Sequence, residues 1–158
     1  MYIIHEIKDS EYHLLDNFLY MAKFVPKGTL PLSKDFVIND PNNNIYIKDF
    51  GTKKDDFCLV ASTNDKIIGA IWARIVNDLS HIDNFTPSIC ISLYKKYRKK
   101  GIGTELMKQM LSVLKNRDFK QVSLCVHKDN PAIKLYKNCD FKVFKEDGDK
   151  LMMVCKIS

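Results

Sequence analysis

The sequence predicts a mixed α/β fold: an α+β sheet, mostly antiparallel, with a central parallel pair of strands and helices on both faces. Two hairpin signals predict the antiparallel pairs, Asn64-Asp65 and Asp147-Gly148-Asp149, each between two β-prone runs. A strand–helix–strand unit over residues 88–126 predicts the parallel pair, because parallel neighbours need a crossover connection of this kind.

The N-terminal third is predicted to contain one strand and two helices. Residues 2–7 are β-prone, and Ser10 is expected to cap a helix whose apolar residues keep a helical period until Pro26 ends it. Residues 27–40 have few periodic signals and are expected to be irregular. Asp40-Pro41, a capping residue followed by proline at the first helical position, predicts a second, short helix.

The remaining elements follow the same signals. Strands are predicted at 57–62, 66–76, 88–93, 121–126, 141–144 and 151–157, and helices at 104–116 and 132–138. Asn130-Pro131 repeats the cap-plus-proline signal before the last helix. No internal repeat, linker or low-complexity segment interrupts the chain, so residues 1–158 are expected to form a single domain.

The composition is typical of a soluble globular protein, with 46% hydrophobic and 28% charged residues. No apolar run approaches the roughly 20 residues of a membrane span, and the N-terminus lacks the basic region of a signal peptide. The five cysteines include no CxxC pair, which indicates reduced thiols in a cytoplasmic protein. Cys90 and Cys125 lie in apolar runs and are expected to be buried in the core.

The positive charge is concentrated in one place. The net charge is +6 and the pI about 9.0, which suits an anionic partner, either a nucleic acid or a phosphorylated small molecule. Five of the six residues from Lys95 to Lys100 are Lys or Arg, and they adjoin two glycines. A local cluster beside a glycine turn favours a small phosphate ligand over a long nucleic-acid track.

The glycine turn opens a helix. From Ile102 onwards, apolar residues recur at helical spacing (Ile102, Leu106, Met110 and Leu114). Backbone N–H groups at a helix N-terminus have no helical partner, so the turn predicts a phosphate or pyrophosphate site. It is neither a P-loop, which needs GxxxxGK[ST], nor a dinucleotide site, which needs GxGxxG after the first strand.

The motif Arg98-x-x-Gly101-x-Gly103 follows a strand that ends in Ile91-Ser92-Leu93, and Asn130, Leu135-Tyr136 and Phe141 come after it. In these residues the chain resembles the GNAT superfamily of N-acetyltransferases, whose acyl-CoA signature matches roughly residues 88–141. The order of elements and the length fit the GNAT acyl-CoA N-acyltransferase fold from end to end. The resemblance implies an enzyme that moves an acetyl group from acetyl-CoA to an amine of a small molecule or protein, by direct attack in a ternary complex and without a metal.

The resemblance also implies a coenzyme A site. The pyrophosphate would lie on backbone amides of the turn, and the pantetheine arm would pair with the fourth strand like an added strand. Asn130 would contact the pantetheine from the opposite side of a gap, where two neighbouring strands move apart. The implied cofactor-binding residues are Ile91, Leu93, Arg98, Lys99, Lys100, Gly101, Ile102, Gly103, Thr104 and Asn130.

Two catalytic roles follow from the same resemblance. Tyr136 matches the general acid that protonates the leaving thiolate, and the Leu93 amide N–H would polarise the thioester carbonyl. The residues alone also allow another interpretation, since Tyr136 lies on the apolar row of its helix with Leu135 and Cys139. On that interpretation it is a core tyrosine with an ordinary hydrogen bond.

The general base is left open. Family members often have a glutamate on or just before the fourth strand, where this chain has Ser88, and serine is no base at neutral pH. His81, Asp83 and His127 are candidates, each with the alternative of a surface or structural role. Water could also remove the proton.

Two other functions are kept as alternatives. The missing glutamate suggests a non-catalytic acyl-CoA-binding regulatory module, and the basic run suggests a nucleic-acid-binding protein, although the small phosphate ligand is favoured. The acceptor is expected to be recognised by residues 25–40 and 77–87, because loops determine specificity on a fixed scaffold. The C-terminal hairpin offers a strand for a homodimer.

Overall fold

A seven-stranded sheet runs through the protein, and the computed structural model describes all 158 residues. The strands are β1 (Ile3–Glu6), β2 (Phe57–Thr63), β3 (Lys66–Arg74), β4 (Ser88–Leu93), β5 (Gln121–His127), β6 (Lys142–Asp147) and β7 (Lys150–Lys156). The α-helices are α1 (Leu15–Ala22), α2 (Lys34–Asn39), α3 (Pro41–Asn44), α4 (Ile102–Asn116) and α5 (Ile133–Asn138). None of these helices has the length and apolar character needed to cross a membrane.

The strand order is β1-β2-β3-β4-β5-β7-β6, and every neighbouring pair except one is antiparallel. Both predicted hairpins are present. Asn64 and Asp65 take positive φ values of 48° and 62° between β2 and β3, the conformation that a tight two-residue hairpin turn requires. The mixed sheet with helices on its faces confirms the predicted fold class.

The exception is the central pair of β4 and β5, which run parallel and share a single register pair, Ser88 with Ser123. The Ser123 amide N donates to the Pro87 carbonyl over 3.0 Å. Beyond this point the two strands separate, so the facing edges of β4 and β5 are left without ladder hydrogen bonds to each other. The sheet therefore has a gap at its centre.

Two cores cover the two faces of the sheet. On one face α4 packs on β2 and β3, and its predicted apolar row, Ile102, Leu106, Met110 and Leu114, is buried. On the other face α1 packs on β4, in a core that includes Phe18 and Trp72. The gap between β4 and β5 therefore lies between these two cores.

Two local predictions were wrong. Residues 34–39 form α2, whose N-terminus is capped by Ser33, because its Oγ accepts from the Phe36 amide N over 3.2 Å. A helix of six residues is too short to show a period in the sequence. Ser10 does not cap α1: residues 9–14 form a 3₁₀ turn, in which Glu11 Oε1 accepts from the Lys8 amide N.

Candidate active site

The helix α4 begins at the glycine turn. Gly101 has a φ of 86°, in the left-handed region, and supplies no side chain to cap the helix. The first amides of α4, from Ile102 to Thr104, therefore have no helical acceptor, and the dipole of this 15-residue helix adds partial positive charge there. This geometry suits a phosphate group.

Gly103 is needed for close packing. A Cβ atom at this position would lie 3.1 Å from Leu135 Cδ1 and 3.6 Å from Leu93 Cδ1. The missing side chain therefore lets the first turn of α4 approach both α5 and the end of β4. The predicted phosphate turn and the predicted pantetheine strand are in this way held next to each other.

The basic residues of the turn are exposed, and one of them fixes the turn to the strand. Arg98 Nε donates to the Leu93 carbonyl over 3.0 Å, which connects the turn to the last residue of β4. Lys99 and Lys100 are exposed beside Gly101, and Lys99 itself has a positive φ of 60°. The amides and the positive charges needed for a pyrophosphate are thus present at one end of β4.

A cavity of about 570 Å³ opens where β4 and β5 separate, and we call it the central cavity. Its walls include Cys90 and Ile91 from β4, and Cys125 and Val126 from β5. Contrary to the prediction of core cysteines, Cys90 and Cys125 are only half-buried, because their strands face the gap. Burial nevertheless raises the pKa of the Cys90 thiol, so it stays protonated and unreactive.

Tyr136 on α5 also lines the central cavity, on the face of the sheet that α4 covers. The residue is 8% exposed, its hydroxyl makes no hydrogen bond to another protein group, and it is not among the fully buried atoms. Burial, and secondarily the nearby Cys90 thiol, raise the pKa of this phenol, so it is protonated at neutral pH. A core tyrosine would be expected to have a partner for its hydroxyl.

Asn130 also lines the central cavity. Its Oδ1 accepts from the Ala132 amide N over 2.9 Å, in the turn before α5, so Asn130 orders this turn but is not the N-cap residue of the helix, which is Ala132. The side-chain NH₂ group makes no hydrogen bond within the protein. It is therefore available as a donor to a ligand in the gap.

The three candidates for a general base have other partners. The exposed Asp83 carboxylate accepts from the Thr86 hydroxyl and the Phe85 amide, and these hydrogen bonds lower its pKa. His81 Nδ1 donates to the Val76 carbonyl, and this histidine lines a different cavity. His127 does line the central cavity, but its Nδ1 accepts from the Asp129 amide over 3.0 Å and its Nε2 lies 3.2 Å from Asp149 Oδ2. Both nitrogens of His127 are thus engaged.

The carboxylate that the structure places in the central cavity is Asp78. Its Oδ2 accepts from the Tyr46 hydroxyl over 2.6 Å, and its Oδ1 accepts from the Ser88 hydroxyl over 3.2 Å. Asp78 and Tyr46 are not among the predicted site residues, and no local motif indicates them, since they lie 32 residues apart and meet only through the tertiary fold.

The cavity also contains positive charge. Lys23 and Lys150 line it, whereas Asp78 is the only acidic residue among its walls. Burial, and then the charge of Lys150, lower the pKa of Lys23, whose Nζ donates to Asn43 Oδ1 over 3.0 Å. The cavity can therefore pair one cation with Asp78 but has no second carboxylate for a polycation.

Comparison with known proteins agrees with this geometry. The sequence model of the acetyltransferase (GNAT) family matches residues 28–141. N-alpha-acetyltransferase 30 of Schizosaccharomyces pombe is 28% identical over 110 residues, which is 68% of this chain and 72% of that protein.

Solved structures share the fold over the whole chain. The ribosomal-protein-S18-alanine N-acetyltransferase of Escherichia coli has a TM-score of 0.67 at 16% identity, covering 100% of this chain and 95% of that chain. A PaiA N-acetyltransferase of Thermoplasma acidophilum, solved in complex with coenzyme A, has a TM-score of 0.66 at 17% identity over 99% of each chain. The chain belongs to the GNAT family and is an acetyl-CoA-dependent N-acetyltransferase.

Proposed function

We propose that the protein, as a single domain over residues 1–158, transfers the acetyl group directly to an amine in a ternary complex, with Tyr136 as the general acid. The observation behind this proposal is the Tyr136 hydroxyl, which is protonated, has no protein partner and lines the cavity between β4 and β5. A thiolate released in this cavity would find that hydroxyl as its proton donor.

The proposed donor site is continuous from the turn to the cavity. The amides of residues 101–104 and the charges of Arg98, Lys99 and Lys100 would hold the pyrophosphate. Ile91, Leu93 and Asn130 would bind the pantetheine arm in the gap, where β4 has a free edge. Acetyl-CoA supplies an acetyl thioester, and the Leu93 amide N–H is proposed to polarise its carbonyl.

For the acceptor we propose the α-amine of a polypeptide. The S. pombe relative carries the name of an N-alpha-acetyltransferase, which motivates this choice. A peptide N-terminus presents one ammonium group, which matches the single carboxylate of the cavity, whereas a polyamine would face the positive charges of Lys23 and Lys150. Exposed apolar side chains on the two acceptor loops, Leu30, Leu32, Phe36, Leu79 and Phe85, would contact the peptide beyond its N-terminus.

A comparison of acceptors tests the proposal. Acetyl-CoA is mixed with short peptides that have a free N-terminus, with the same peptides N-acetylated in advance, and with spermidine, and released CoA is detected with a thiol reagent. The free peptides are expected to give the highest rate. Turnover of spermidine above that of every peptide would contradict a polypeptide acceptor, and tight CoA binding without any turnover would favour the non-catalytic module.

The proposal extends to a cytoplasmic homodimer. All six residues of β6 are exposed at one edge of the sheet, and they include the large apolar residues Val143 and Phe144. Pairing of two β6 edges would satisfy their free backbone groups. Light scattering on the purified protein should then give twice the monomer mass, and Phe144→Lys should reduce it to the monomer value.

A further inference from the structure

We propose that Asp78 is the catalytic base, which binds the ammonium group of the acceptor and takes its proton. The inference rests on the proposed function and completes it, because Ser88 stands where related enzymes often have a glutamate. The Ser88 hydroxyl donates to Asp78 Oδ1 over 3.2 Å, so the chain places a carboxylate next to this position from a different element, the loop after β3.

Hydroxyl donors hold the carboxylate in place. Tyr46 donates to Oδ2 over 2.6 Å, and Ser80 lies 3.0 Å from both carboxylate oxygens. The Ser123 hydroxyl donates in turn to Ser80 over 3.3 Å. Since Ser88 and Ser123 form the only register pair between β4 and β5, the hydroxyl network fixes Asp78 at the closed end of the gap.

Tyr46, which makes the shortest of these hydrogen bonds, is itself held by buried groups. Trp72 Nε1 donates to the Tyr46 carbonyl over 3.1 Å, and the Arg74 guanidinium donates to the carbonyls of Ile45 and Lys48 on either side. Trp72 and Arg74 are each 1% exposed. These hydrogen bonds fix the backbone around Tyr46. The Tyr46 hydroxyl can therefore hold the Asp78 carboxylate in position before a substrate binds.

The groups around Asp78 leave it as the base of the central cavity. The other titratable residues there are Tyr46, Cys90, Cys125, Tyr136, Lys23, Lys150 and His127. Burial raises the pKa of both tyrosines and of both cysteines, so these four are protonated at neutral pH. Lys23 Nζ donates to Asn43 Oδ1, and both nitrogens of His127 have partners. Asp78 is half-buried and still faces the cavity.

In each acetyl transfer Asp78 accepts one proton from the acceptor. The acceptor ammonium gives a proton to Asp78, directly or through one water, and the freed nitrogen forms the C–N bond with the acetyl carbon. As the C–S bond breaks, the sulfur takes a proton from Tyr136, and the second proton lost by the nitrogen restores the Tyr136 hydroxyl. The proton on Asp78 passes to solvent, so the reaction releases one proton.

The test compares Asp78→Asn with the wild type, using a short peptide with a free N-terminus as the acceptor. At pH 7, kcat/KM for the peptide is expected to fall about 10²-fold, the usual size of a general-base contribution. The loss should shrink as the pH rises above about 8, because the α-amine then loses its proton without help. A purely structural role for Asp78 would give the same loss at every pH.

Binding provides a second measurement that needs no turnover. In calorimetry with the CoA-loaded protein, Asp78→Asn is expected to weaken binding of the same peptide about tenfold, since the ammonium loses its carboxylate, and to leave binding of CoA unchanged. Asp78→Glu, which keeps the charge, should recover more of the activity than Asp78→Asn. Asp118→Asn, which removes an exposed carboxylate after α4 and outside the central cavity, serves as the control with unchanged activity.

The outcomes separate this inference from the proposed function. The role of Asp78 alone is overturned if the wild type is active and Asp78→Asn lowers kcat/KM less than threefold at pH 7. It is also overturned if Asp78→Asn binds the peptide as tightly as the wild type does. A loss that is independent of pH and not reduced in Asp78→Glu overturns it as well. If the wild type acetylates none of the amines, the proposed function is overturned. The calorimetric measurement of peptide binding then tests whether Asp78 binds the ammonium group.

Discussion

Arg74 Nε and Asp56 Oδ1 lie 2.8 Å apart, and the two side chains of this ion pair are 2% and 1% exposed. The pair joins the end of β3 to the residues before β2, and Arg74 also holds the carbonyls on both sides of Tyr46. Removal of one partner is expected to destabilise the fold strongly, because the other charge would stay buried without a partner. Asp56→Ala should lower the free energy of unfolding by about 3–5 kcal/mol in urea denaturation.

The same pair predicts a response to acid. Burial alone would raise the pKa of Asp56, but the Arg74 guanidinium and the backbone amides of Lys53 and Gly51 outweigh it, so the pKa is lowered. The stabilising contribution is therefore present above the unfolded-state pKa of about 3.9 and is lost as the pH falls through the folded-state value. Unfolding midpoints measured from pH 6 to pH 2 should fall more steeply for the wild type than for Asp56→Asn.

Tyr136→Phe removes a single hydroxyl from the central cavity. We expect kcat to fall about 10²-fold, because the thiolate loses its acid, while the KM for acetyl-CoA changes little. The reaction should be slowed but not abolished, since a thiolate is a fair leaving group without help. Steady-state kinetics measure the effect, and Tyr12→Phe, in the core on the α1 face of the sheet, is the matched control. Equal kcat for Tyr136→Phe and the wild type would contradict the acid role.

Gly101→Ala tests the turn. Alanine at a φ of 86° costs about 1–2 kcal/mol of backbone strain, although no atom lies within 4 Å of the new Cβ. The strain should displace the free amides of α4 and weaken CoA binding about tenfold in calorimetry. Gly28→Ala provides an equivalent control, because Gly28 has the same φ of 86° and equally open surroundings outside the donor site. Equal CoA affinity in the two variants would argue against a pyrophosphate on the turn.

Lys99→Glu combined with Lys100→Glu tests the basic cluster. CoA binding should weaken at least tenfold, and the difference from the wild type should shrink at high salt, because exposed charges are screened. Lys142→Glu combined with Lys145→Glu on the exposed strand β6 changes the net charge equally and should leave CoA binding unchanged. Binding to duplex DNA that grows with duplex length would favour the nucleic-acid alternative instead.

Cys90→Ala tests whether a thiol takes part in the reaction. Cys90 lines the central cavity, but burial raises its pKa and keeps it protonated, so it should not form an acyl intermediate. We expect kcat within about threefold of the wild type, and mass spectrometry after incubation with acetyl-CoA alone should show no acetylated cysteine. A stable acetyl adduct on Cys90 would contradict direct transfer.

Local signals predicted most of the elements and the turn at Gly101, because each of these depends on residues that are close in sequence. The hairpin at Asn64-Asp65 and the apolar row of α4 are such cases. The short helix α2 was not predicted, and Ser10 was predicted to cap a helix whose N-cap residue, Leu14, makes no side-chain hydrogen bond. These segments are too short for a hydrophobic period, so their local structure depends on individual hydrogen bonds that the sequence pattern does not show.

The cluster around Asp78 could not be predicted for a different reason. Tyr46, Asp78 and Ser88 come from three separate elements, and only the pairing of the strands brings them together. The loop that contains Asp78 was predicted to face the acceptor, but His81 and Asp83 were the candidate bases predicted from it. The structure gives both of these residues other partners outside the central cavity. Which carboxylate faces the gap depends on the path of the loop.

The single residue pair between β4 and β5 leaves the sheet as two antiparallel halves, β1–β4 and β5–β7. A molecule bound in the gap touches both halves at once and supplies contacts that the backbone does not make there. The two halves are therefore expected to behave as separate cooperative units in the free protein, and as one unit when the gap is filled. Amide protons of β4 and β5 should then exchange more slowly in the presence of CoA, on both sides of the gap together.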